Sequence, residues 1–117
     1  MTRARVLLLA AVLGVTLVFF VDLCDLVFDC GCRSLWNGAA AHCNIHHELP
    51  PHCPWCAHPV TGGASAFFAA AVAQTAIVFA PLGGLGLWAR VLLALAAFPL
   101  ASGVAGWFAG LAFGYWG

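Results

Sequence analysis

Residues 6–21 read VLLLAAVLGVTLVFFV, and DLCDLVF carries the stretch on to Phe28. Thr16 is the only polar side chain in 6–21, and no Lys or Arg falls anywhere in 6–28. A helix needs about 20 mostly apolar residues to cross the hydrocarbon core of a bilayer, so the run has the length and composition of a transmembrane span. Two more follow. One covers 64–80 and is closed by Pro81 with Gly83, Gly84 and Gly86; the other covers 91–115. Neither holds Lys or Arg in its interior.

The whole chain agrees with these runs. Of its 117 residues 64% are hydrophobic and only 7% are charged, with a mean hydropathy of +1.02. A soluble domain carries roughly 25% charged residues, and a disordered segment needs low hydrophobicity with high net charge. Both classes are excluded. Four Arg and no Lys cannot build a basic face for nucleic acid. The expected fold is all-α and integral to a membrane: three transmembrane helices with a Cys/His-rich loop between the first and second. Its parts are 1–28 (an N-terminal tip and the first span), 29–63 (the loop), and 64–117 (the second and third spans with a short turn).

Arg3 and Arg5 ahead of the first run resemble the n-region of a signal peptide. However, the exit FFVDLCDLVFDC offers no small-x-small cleavage site, and an h-region is usually only about 7–15 residues long. The run is therefore expected to stay as a span. Arg3, Arg5 and Arg90 lie on one side of the spans and Arg33 on the other. By the positive-inside rule the N-terminus is cytoplasmic and 29–63 extracytoplasmic, as for a bacterial inner or cytoplasmic membrane protein. Trp88, Tyr115 and Trp116 fall where interfacial aromatic belts are expected.

The third run places Ser102, Gly106, Gly110 and Gly114 four residues apart on one stripe. Small residues at this spacing let helices approach closely in lipid. The stripe is expected to pack the spans together, or else to join a second copy or a larger membrane complex. Besides lipid, those are the partners the sequence suggests.

The loop carries the chemistry. Residues 29–63 read DCGCRSLWNGAAAHCNIHHELPPHCPWCAHPVTGG and hold every His of the chain and five of its six Cys; Cys24 lies just inside the end of the first span. Cys43-Asn-Ile-His46 and Cys53-Pro-Trp-Cys56 together spell C-x2-H-x6-C-x2-C. A two-residue spacer lets both side chains of a tight turn face one ion, and two such turns supply four tetrahedral ligands. Cys43, His46, Cys53 and Cys56 are thus the candidate ligands. Cys30, Cys32, His42, His47, His52 and His58 are the alternates, since Gly31 also lets the Cys30 and Cys32 thiols converge. Thiolates with imidazoles suit zinc first and copper second, in a structural, sensing or accessory role.

The Cys-Pro-x-Cys turn resembles the metal knuckles of rubredoxin and zinc ribbons, and is similar to the active site of glutaredoxins. Those likenesses imply metal ligation and thiol exchange respectively. Each spans four residues and neither is accompanied by its fold's strand pattern, so the chain is assigned to no family. Two rival functions follow from the same residues. Cys53 and Cys56 could exchange disulfides as a membrane thiol oxidoreductase, although families that pass such electrons to a quinone use at least four spans. Alternatively, six Cys facing an oxidising compartment could staple the loop of a structural subunit. No catalytic constellation is visible: no activated Ser nucleophile, no phosphate loop. Finally, Asp22, Asp25 and Asp29 form an acidic stripe at the loop end of the first span. They are expected either to be hydrated at headgroup level or to support the metal site from below.

Overall fold

In this computed structural model, which describes residues 2–49, 51–81 and 83–116, three helical segments are long and apolar enough to cross a membrane: Arg3–Phe28, Pro59–Phe79 and Leu87–Ala112. At 1.5 Å per residue, a helix of 26 residues is about 39 Å long, more than the hydrocarbon core requires. We name the helices α1 (Thr2–Phe28), α2 (Pro54–Ala57), α3 (Ser65–Phe79) and α4 (Leu87–Ala112). Short 3-10 turns at Leu35–Asn37, Ala39–His42 and Asn44–His46 shape the loop, and a wide π turn, Pro59–Ala64, leads into α3. There is no strand among the described residues.

The bundle is apolar outside and polar within. Leu7, Leu17, Phe68, Val72, Leu92, Leu100 and Val104 are exposed, whereas Thr16, Gln74 and Ser102 are fully buried. The side chain of each of these three polar residues makes a hydrogen bond inside the bundle, although Gln74 Oε1 is left without one. Gln74 Nε2 donates to Thr16 Oγ1 at 2.8 Å and to the Ala94 carbonyl at 3.0 Å. Thr16 Oγ1 in turn donates to Val12 O, and Ser102 Oγ to Ala66 O. Arg90 is also buried. Its Nη1 reaches the Ile77 and Val78 carbonyls at 2.8 and 3.1 Å, among the last carbonyls of α3. A cation there meets the negative end of the helix dipole.

The third run ends earlier than its apolarity suggests. Gly114 has φ +73° and terminates α4 in a Schellman turn: Tyr115 N–H donates to Gly110 O at 2.7 Å. The chain then doubles back, so Tyr115 and Trp116 fold onto the bundle end. The Ser102 stripe is covered by this chain's own side chains. A Cβ on Gly106 would stand 2.9 Å from the Trp55 ring and 3.3 Å from Phe28, and one on Gly110 would collide with the Trp116 indole. Gly114 lies beyond α4.

Candidate metal centre

Cys24, in the last two turns of α1, faces the interior with Phe20 and Phe28, four residues before and after it on the same face. Asp29 ends the helix at φ +49°, and Gly31 follows at φ +91°, pressed so closely on the His42 carbonyl that no Cβ would fit. This reversal turns Cys30 and Cys32 back toward Cys24. Two aspartates hold it: Asp25 accepts from the Gly31 N–H at 2.8 Å and Asp22 from the Ser34 hydroxyl at 2.6 Å. The acidic stripe therefore fastens the loop, and none of its members sits within the sulfur groups.

Asn44 ties the second half of the loop to the first. Its backbone N–H donates to Cys30 O at 2.7 Å, and its Oδ1 accepts from the Cys53 N–H at 2.6 Å. Its Nδ2 donates to the Tyr115 hydroxyl at 3.0 Å, and that hydroxyl donates to Phe28 O. Burial raises the Tyr115 pKa, keeping the phenol protonated for this bond. Pro54 opens α2 at the position where its fixed φ is favourable, placing Cys53 and Cys56 on either side of one turn. Between them Trp55 drops into the bundle, stacked on Phe20 at 4.6 Å and edge-on to Phe28 at 5.3 Å. Gly62 and Gly63 let the π turn pass against α2: a Cβ on Gly62 would lie 2.5 Å from Pro54 O.

All six cysteines converge in this setting. Five are buried, Cys56 is half-buried, and none is disulfide-bonded. Cys24 Sγ lies 3.0 Å from Cys53 Sγ and 3.3 Å from Cys30 Sγ, and Cys32 Sγ lies 3.7 Å from Cys56 Sγ. Four sets of three sulfurs are each mutually within 4.8 Å: Cys24/Cys30/Cys32, Cys24/Cys53/Cys56, Cys30/Cys43/Cys53 and Cys32/Cys43/Cys56. The arrangement can hold a metal ion. The thiols are not equivalent. Hydrogen bonds from Cys24 and then Cys53 hold Cys56 down to about 4, and bonding from Cys24 and Cys30 also lowers Cys53. Burial pushes Cys32 and Cys43 up.

Of the four ligands proposed from spacing, the structure brings Cys43, Cys53 and Cys56 into these sets. His46 lies apart, its Nε2 3.0 Å from the Ala40 carbonyl. Among the alternates, Cys30 and Cys32 join the sets. His42 and His47 are exposed, His52 has a buried Nδ1 without a partner, and His58 stacks on Phe113 at 4.1 Å. Cys24 is the residue the loop motif did not include. Its signal was its place on the Phe20/Phe28 face of α1. Compared with known families, characterised proteins and solved structures, the chain matches none, so its reading rests on its own residues.

Proposed function

We propose that this is a membrane-anchored metal-binding protein that holds Cu(I) in thiolate ligation at the extracytoplasmic end of its three-helix bundle. The observation that carries the reading is the convergence of six unbonded sulfurs from four segments of chain, with no imidazole among them. Soft thiolate sites select Cu(I) and zinc, and tetrahedral sets favour zinc. Here the sulfurs gather in threes. Three soft donors satisfy Cu(I), which as a closed-shell monovalent ion accepts trigonal ligation, whereas zinc prefers four. That difference moves copper ahead of zinc. The exposed apolar belt and the Arg3/Arg5/Arg90 asymmetry support insertion with the loop outside. The role would be to keep the ion at that face, in service of a larger membrane system or as a sensor.

Elemental analysis of anaerobically purified protein in detergent, combined with a thiol count, tests this. Copper is expected, with thiols that react only after a Cu(I) chelator is added. Metal-free protein with its cysteines oxidised in pairs would replace the reading with the stapled subunit. Orientation has its own check: in the copper-loaded protein, Asn37→Cys should react with an impermeant maleimide from outside intact spheroplasts. Reaction only after lysis would reverse the topology.

Thiol exchange has one observation in its favour: Cys56 is the only half-exposed cysteine, and it stands beside Cys32. Metal-free protein with a reversible two-electron titration of these thiols would favour it.

A further inference from the structure

The four sulfur sets overlap in a regular pattern. Each cysteine belongs to two sets, and any two sets share a single cysteine. Cys24 with Cys43, Cys30 with Cys56, and Cys32 with Cys53 share none. Six points related this way are the corners of an octahedron, with the shared-set pairs as its edges and the three excluded pairs as its diagonals. The same close pairs bound all eight faces of that octahedron; ions on faces that share an edge would crowd one another, so four fit best on alternate faces, whose centres form a tetrahedron.

The geometry points to a polynuclear centre: four Cu(I) ions, one in each three-sulfur set, with all six cysteines acting as thiolates that each bridge two ions. This rests on the metal-binding reading above and specifies its stoichiometry. Dimensions support it. At a metal–sulfur bond of about 2.3 Å, three sulfurs in a plane around one ion stand about 4 Å apart. The sulfur pairs here lie at 3.0, 3.3 and 3.7 Å, and all within a set lie inside 4.8 Å. The competing arrangements need different patterns. One tetrahedral zinc needs four mutually close sulfurs. Two zinc ions in six thiolates need two such sets of four sharing two members. Among the described residues the sulfurs form mutually close sets of three and none of four. The binding step balances: four Cu(I) ions displace six thiol protons and leave a core of charge minus two. No electron is transferred.

Anaerobic titration of reduced wild-type protein with a Cu(I)–acetonitrile salt, followed by native mass spectrometry in detergent, tests the stoichiometry. The expected spectrum shows apo and four-copper species, with one- to three-copper forms scarce, because each bridging thiolate supports two neighbouring ions. X-ray absorption of the product should show three sulfur neighbours per copper and a short copper–copper vector. Saturation at one copper, or tight binding of zinc in preference, would overturn the cluster while leaving a metal-binding protein. Failure to bind either metal would remove both readings. Cys24→Ser sharpens the result. In the cluster it removes a bridge between two ions and should cut retained copper by half or more, as Cys53→Ser should. His46→Ala should keep all four. Full copper retention in Cys24→Ser would also overturn the proposal.

Discussion

The two ends of the bundle close in opposite ways. At the end bearing Arg90, ordinary hydrogen bonds settle the buried donors: Gln74 Nε2 to Thr16 and Ala94, Arg90 Nη1 to the Ile77 and Val78 carbonyls. The apolar contacts there are small, centred on Val12, Val78 and Ala94. At the other end, aromatic rings from α1, α2 and the C-terminal turn enclose six thiols whose side-chain neighbours are largely one another. A thiol is a weak donor and a weak acceptor, so sulfur–sulfur contacts add little stability by themselves. The first end is settled by its own hydrogen bonds; the second gathers thiols that could hold a metal ion.

Four substitutions separate the ends, taken from the largest expected effect to the smallest. Asn44→Ala removes three side-chain hydrogen bonds and strands the buried Cys53 N–H. It should cost about 3 kcal/mol and lower metal retention, read by thermal unfolding in detergent with elemental analysis. A variant that keeps full metal and melting temperature would show that Asn44 does not organise the sulfurs. Gly106→Leu drives a side chain into Trp55, Val27 and Phe28; about 2 kcal/mol of destabilisation is expected. Because Trp55 lies between Cys53 and Cys56, metal binding should weaken with it. Unchanged stability would mean the α2 turn is not seated on α4.

The remaining two probe the opposite end and should leave metal content alone. Arg90→Gln withdraws the charged donor from the α3 carbonyls, at about 1.5 kcal/mol. Gln74→Leu breaks the bonds to Thr16 and Ala94 and, on the scale of interhelical bonds in membranes, should cost about 0.6 kcal/mol. If either lowers bound copper as far as Asn44→Ala does, the two ends are coupled and the contrast between them fails.

The three apolar segments were legible from composition and run length, because a bilayer-spanning helix demands both and little else does. The chemistry of the loop was legible as composition, but its ligand grouping was not. Local spacing treats Cys43-x2-His46 and Cys53-x2-Cys56 as equals, since both fit a tight turn. The difference between them is tertiary. Asn44 directs its carbonyl oxygen to the Cys53 N–H, while His46 meets the Ala40 carbonyl. Cys24 escaped the motif because it sits on a helix, where its partners come from helical face rather than from neighbouring residues. Gly114 was read as one more small residue on a stripe. Its positive φ makes it a stop signal instead, and that stop is what returns Tyr115 to the loop.

That return sets an order of events during synthesis. Tyr115 bonds to Asn44, 71 residues earlier, and to the carbonyl of Phe28, 87 residues earlier. A ribosome adding about 5–20 residues per second takes several seconds to travel from the loop to the residue that clasps it. The cysteines are therefore all made, and on the proposed topology already exported, before the last helix brings their clasp. On the proposed function, a metal centre closed by its own C-terminal turn would mature only after the third helix is in place, and a chain stalled before that point would present its thiols open.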